Sequence, residues 1–194
     1  MILPVLAFGH PILRKVAKEI NPGHPGLAEL INDMWETMYQ SDGVGLAAPQ
    51  VKQSIRLFVI DAAPYAEKHP ETEGFKKVFI NAKIYKEEGE EWAFNEGCLT
   101  VPGIREDVMR KPVIYIRYQD ENFQPHDERY DGIIARVIQH EYDHTEGILF
   151  VDRLSSLRKM LLKGKLNDIS RGNVDVFYKM IFPLQKKGKN KNEK

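Results

Sequence analysis

The residues best suited to chemistry are His140, Glu141 and His144, in the run His140-Glu141-Tyr142-Asp143-His144. Around them Ile133, Ile134, Val137, Ile138 and Glu141 recur at helical spacing. Residues i and i+4 of a helix share a face about one turn apart, so the two imidazoles can grip one metal ion. A carboxylate beside them can move protons for a water activated there. Two surface histidines on an amphipathic helix would have the same spacing, but the apolar pattern turns this face inward.

A catalytic metal usually takes three protein ligands and leaves one position open. The candidates for the third are Cys98, His10, His24, His69, His126 and a carboxylate such as Glu146. No histidine follows His144, which excludes a distant downstream His ligand. Cys98 is the sole cysteine and stands in Asn95-Glu96-Gly97-Cys98-Leu99-Thr100, after an expected strand. A lone Cys is more often a small buried hydrophobe; the missing third ligand reverses that preference here. A third segment, Gly43-Val44-Gly45-Leu46-Ala47-Ala48-Pro49-Gln50, lets the backbone come close to a ligand and ends in an amide donor. Its spacing fits neither a dinucleotide fingerprint nor a P-loop.

The elements that must position these groups are short. Leu27, Leu30, Ile31, Met34 and Met38 predict a helix over 27–38, with Pro25 in its first turn and Asp42-Gly43 at its exit. Residues 55–61, 78–85 and 113–119 read as strands, the last opening a hairpin with 125–130. Asp61 to Lys77 reads as a surface loop. The motif helix starts near Asp131 or Gly132 and stops before Gly147, and another helix covers about 154–168. Strands first and helices at the ends indicate an α+β fold, with antiparallel sheets packed around a central helix that carries the HExxH motif. Residues 1–185 are expected to form a single catalytic domain, and 186–194, Lys-rich and of low complexity, a disordered basic tail.

The chain has 194 residues, 42% hydrophobic and 29% charged, ordinary for a globular protein. One cysteine excludes an intrachain disulfide and fits a reduced compartment. The N-terminal run MILPVLAFGHP is too short for a membrane span and lacks a basic leader. The cytoplasm is the simplest home. Net charge is zero, but from Leu157 to Lys194 there are 11 Lys or Arg against three acids, so this segment is +8 and the remainder −8. Such asymmetry points either to an electrostatic contact or to a solvated helix and tail.

Taken together, three segments resemble the signature motifs of peptide deformylases. Gly43 to Gln50 is similar to G-x-G-x-A-A-x-Q, Glu96 to Thr100 to E-G-C-L-S, and Gln139 to His144 to Q-H-E-x-D-H. The opening Gly9-His10-Pro11-Ile12-Leu13-Arg14 is also similar, and the resemblance covers about residues 5–155. Thr100 stands for the usual Ser and Thr145 for the usual Leu, and neither is expected to touch a ligand.

The resemblance implies Cys98, His140 and His144 as metal ligands, Glu141 as general base and acid, and Fe2+ as native metal, with Zn2+, Ni2+ or Co2+ able to substitute. Ligand softness alone points to zinc. It implies the Gln50 amide and the Leu99 backbone N–H as oxyanion donors, and N-formyl-methionyl peptides as substrates. Gly45 is expected to offer its backbone to the peptide, and Val44, Ile133 and Val137 to line a pocket for the methionine side chain, although core packing would use the same residues. Asp143 points away from the metal and is expected to hold an Arg, by resemblance Arg110, with Arg105 as alternative; Glu96 is the other nearby carboxylate. The basic C-terminal segment is a candidate ribosome contact. The competing readings are a metallopeptidase and a non-catalytic structural zinc site.

Overall fold

The computed structural model describes residues 1–184; the expected basic tail, 186–194, lies outside them. Its frame is a five-stranded antiparallel sheet in the order β2-β3-β4-β7-β8 (Gly45–Ala47, Leu57–Asp61, Lys76–Glu88, Val113–Gln119 and Pro125–Asp131). β3 shows why the sheet is buried on both sides. Side chains alternate along a strand, and Phe58 and Ile60 join one apolar cluster while Leu57 and Val59 join another. All four are fully buried, because a helix covers each face. On the first side lies α2 (Gly132–Thr145), through Ile133, Val137 and Ile138. On the second lies α1 (Leu27–Gln40), through Leu27, Ile31, Met34 and Met38. The mixed architecture with antiparallel sheets and the motif helix at its centre is the one the sequence pattern predicts.

A separate hairpin, β5 (Trp92–Cys98) with β6 (Val101–Arg110), carries Cys98 at its tip. Together with Ala7 and Phe8, which follow β1 (Val5–Leu6), and with α3 (Ser156–Arg171), it encloses a third apolar cluster that includes Val101, Ile104, Val108, Leu162 and Leu166. After α3, β9 (Met180–Ile181) returns to pair in parallel with β1.

Several local expectations are corrected. Pro25 precedes α1, because Gly26 at φ +68° occupies the N-cap position, a backbone conformation glycine tolerates. Asp131 is the N-cap residue of α2, as expected, although its carboxylate accepts from Arg129 and makes no hydrogen bond to the helix. α3 begins two residues later than expected, capped by the Ser155 hydroxyl, which accepts from the Arg158 N–H, and runs on to Arg171. The loop between β3 and β4 contains two short 3-10 turns, Ala63–Tyr65 and Pro70–Thr72. None of the described helices is long and apolar enough to cross a membrane.

Candidate metal centre

α2 brings His140, Glu141 and His144 to its inward face, and the β5–β6 hairpin carries Cys98 to them. The hairpin register shifts between Gly97 and Cys98, where Gly97 pairs with Arg105 but Cys98 with Val101. Such an irregularity re-aims a side chain. Ligand atoms of Cys98, His140 and His144 all lie within 4.8 Å of one another. Cys98 Sγ is 3.2 Å from His144 Nε2, and the two imidazoles stand edge to face with centroids 5.3 Å apart.

The protonation chemistry of this trio fits a metal. Burial opposes charge on Cys98, yet the imidazoles of His144 and His140 draw the thiol well below its ordinary value, and the thiolate is the ligating form. His140 Nδ1 lies 2.9 Å from Glu96 Oε2. A carboxylate accepts, so Nδ1 carries the proton and Nε2 is left as the ligating atom. The donor set of one thiolate and two imidazoles suits a borderline transition metal.

Glu141 is buried, and its Oε2 has no hydrogen-bond partner among the described residues. Burial pushes its carboxyl up to about 7, against the pull of the two imidazoles. A group near neutrality can both take and return a proton. Its carboxylate lies directly over Gly45: a Cβ built on that glycine would come 2.5 Å from Oε1. Gly45 is not in the left-handed region, so the requirement there is space. Gly45→Ala should therefore fold and keep its metal while displacing the Glu141 carboxylate. A misplacement of about 1 Å can cost about a hundredfold in rate, and kcat measured beside metal content checks this.

Gln50 sits in a short 3-10 turn, Ala48–Val51, directly after β2. Its Oε1 accepts from the Ala47 N–H at 2.7 Å, which turns Nε2 toward Cys98 Sγ at 3.6 Å. The Leu99 backbone follows in the tight turn beyond Cys98. Thr100 corrects an expectation, because its hydroxyl is 2.9 Å from Cys98 Sγ. The contact spans a two-residue turn, and Thr has the same hydroxyl as Ser to make it. Thr145 donates to the Tyr142 carbonyl and touches no ligand.

Behind the trio is a buried charge network. Glu96 accepts two hydrogen bonds from Arg110, at 2.7 and 2.9 Å, and one from Arg136 at 3.0 Å. Burial favours the neutral acid, but His140 and Arg110 hold the Glu96 carboxyl far below the usual range. Arg110 also donates to Asp143 at 2.7 Å, and Arg153 grips the same carboxylate with two bonds of 2.6 Å. Arg105, the alternative partner for Asp143, is engaged with Asn95 instead. Within this network Arg136 and Arg153 were missed from sequence. Arg136 faces inward from α2, with its guanidinium also donating to the carbonyls of Val108 and Trp92. The signal that could have found it is an arginine within the apolar stripe.

The cleft above the trio takes in Val44, Gly45, Gln50, Glu96, Leu99 and Val137. Ile133 is a correction, as it is absent from the walls and packs in the core against the sheet. It lies a full turn before Val137, farther from the metal end. Tyr65 and Phe94, stacked edge to face, extend the apolar wall in its place.

A family model for polypeptide deformylase matches residues 2–160 of this chain. The chain belongs to the polypeptide deformylase family. Curated peptide deformylases from Christiangramia forsetii and Flavobacterium johnsoniae are 57% and 54% identical to it, each alignment covering 97% of this chain and 100% of the relative. The crystal structure of a peptide deformylase from Legionella pneumophila superposes with a TM-score of 0.77 at 38% identity, covering 89% of this chain and 98% of that one. The deformylase family is metal-dependent and acts on formylated peptides.

Proposed function

We propose that this chain removes the N-formyl group from the formyl-methionine that begins nascent polypeptides, releasing formate. The observation that carries the reading is the meeting of Cys98, His140 and His144 with Glu141 on one side and the Gln50 amide on the other.

Cys98, His140 and His144 hold the ion, with Glu96 orienting His140, and Arg110, Arg136 and Asp143 keeping that scaffold neutralised. When bound, the metal supplies Lewis acidity toward the formyl group and the attacking water. Glu141 takes a proton from the water as its oxygen attacks the formyl carbon. The Gln50 Nε2–H and the Leu99 N–H donate to the oxyanion that develops, a contribution of about a hundredfold or more for each donor. Glu141 returns the proton to the departing amine as the C–N bond breaks, and formate leaves. The Gly45 backbone aligns the peptide, and Val44 and Val137, with Tyr65 and Phe94, enclose the methionine side chain.

The ion is Fe2+ by family resemblance, although thiolate and imidazole ligands also accept Zn2+, Ni2+ or Co2+. The deciding assay compares formate release from a formyl-Met peptide with cleavage of the same peptide unformylated, on metal-defined protein under low oxygen. Cleavage of the unformylated peptide without formate release would favour a metallopeptidase.

An enzyme acting on nascent chains would work in the cytoplasm, beside the ribosome. α3 exposes Arg158, Lys159, Lys163 and Lys165, and five more lysines follow Pro183 in the sequence. Phosphate contacts by such residues release counterions, so binding weakens steeply with salt. A chain ending at Pro183 should bind ribosomes less tightly and with a shallower salt dependence. Unchanged affinity at low salt would remove those lysines from the contact.

A further inference from the structure

The family model ends at residue 160, yet one wall of the cleft over Cys98, His140 and Glu141 comes from Asp175, Val176, Phe177 and Tyr178. The chain turns at Gly172, which caps α3 in the left-handed conformation, and then runs back as a strap. The strap is anchored at its far end. The N–H groups of Val5 and Ala7 donate to the carbonyls of Lys179 and Ile181, both at 2.9 Å, and Val174, Met180 and Phe182 pack on the third apolar cluster. Between the Gly172 turn and this anchor, the Tyr178 hydroxyl donates to the Leu99 carbonyl at 2.8 Å. From the β1 side the Phe8 N–H donates to the Thr100 carbonyl, also at 2.8 Å. The turn after Cys98 is thus held by two bonds from outside its own hairpin, one of them from the strap. Phe177, next to Tyr178, lines the cleft but leaves 72% of its surface to water.

We propose that this strap is a specificity element of the cleft: Tyr178 positions the Leu99 turn, and Phe177 contacts the substrate side chain downstream of formyl-methionine, favouring a large apolar residue there. The inference rests on the deformylase reading. In that reading the formyl group occupies the metal end and the methionine side chain the wall of Val44, Val137, Tyr65 and Phe94. The rest of the lining includes the strap and Pro102 to Arg105 of β6, and a peptide that leaves beyond methionine along the strap meets Phe177. An aromatic ring at that lip gains by covering an apolar side chain and has no polar group with which to hold a hydrophilic one. Tyr178 acts differently, because its hydroxyl is spent on Leu99; it is a positioning residue.

The test uses the metal-loaded full chain and three substrates: formyl-methionine amide, formyl-Met-Leu-Phe and formyl-Met-Ser-Ser. Phe177→Ala should lower the ratio of kcat/KM for formyl-Met-Leu-Phe over formyl-Met-Ser-Ser by about tenfold, mainly through KM. Phe177→Leu should restore most of that ratio. Tyr178→Phe should lower kcat on all three substrates by a similar factor, since the turn serves the reacting end of each. An unchanged ratio in Phe177→Ala would overturn the specificity role, and an unchanged kcat in Tyr178→Phe would overturn the positioning role. Melting temperatures recorded beside the kinetics separate these effects from loss of fold, which the exposed Phe177 is not expected to cause. Formate release by the unaltered chain from formyl-methionine amide, which has no downstream residue, checks the deformylase reading separately.

Discussion

Cys98→Ala is expected to lose bound metal and formate release together while the chain stays folded. Two imidazoles on α2 remain in the variant, but the sulfur that closes the cluster is gone. Removing groups one shell beyond a metal costs about ten- to a hundredfold in affinity, so losing a ligand itself should cost more than that upper figure. Folding is spared because Cys98 stands at a hairpin tip, only partly buried, and alanine needs less room than cysteine. Metal analysis of the purified variant, beside circular dichroism and a formate assay, reads all three quantities. A folded Cys98→Ala protein that holds a full complement of metal would exclude Cys98 as a ligand.

Glu141→Ala should separate the two functions that Cys98→Ala removes together. Glu141 is not one of the three clustered ligands, and its carboxylate faces Gly45. The variant should keep about one ion per chain, as a site with three protein ligands does. It should lose turnover by about a hundredfold to ten-thousandfold, the span of general acid–base contributions. Contacting residues are coupled, so the Gly45 substitution provides an internal check. Gly45→Ala should be costly in the unaltered chain and nearly silent when Glu141 is already alanine, because the clash partner has gone. Turnover retained by a metal-loaded Glu141→Ala protein would rule out the proton-transfer role.

The network behind the ligands has a related logic. Glu96, Arg110, Arg136 and Asp143 are all buried. Buried ion pairs seldom add net stability, but removing one partner strands the others, typically at about 3–5 kcal/mol. Their arrangement supports orientation: Glu96 ties the His140 ring to two arginines, and Asp143, three residues along α2, ties the same helix to Arg110 and Arg153.

How much of this was legible before folding depended on the range of the interaction. His140, Glu141 and His144 follow from one helical turn, and helical periodicity is a local property of the chain. The short apolar run of residues 55–61 marked a strand for the same reason, and the helical spacing between Leu27 and Met38 marked a helix. The pairing of Arg110 with Asp143 was anticipated from charge and family pattern, but the second grip from Arg153 was not, since nothing in the spacing of Arg153 announces a partner ten residues back. Cys98 was one of several candidates for the third ligand and was assigned by family resemblance; its approach to His144 depends on a register shift in a hairpin that residues 92–110 do not advertise, because Glu96 and Arg110 interrupt the apolar pattern with charges that only the fold buries. Ile133 reads from its period either as a pocket residue or as core, and its position one turn before Val137 puts it in the core against the sheet. The strap of Asp175 to Tyr178 carries no motif at all. It reaches the cleft because β9 pairs with β1 across more than 170 residues, and a pairing of that separation is decided by the packed structure, where the hydrogen-bonding edge of one end of the chain meets the other.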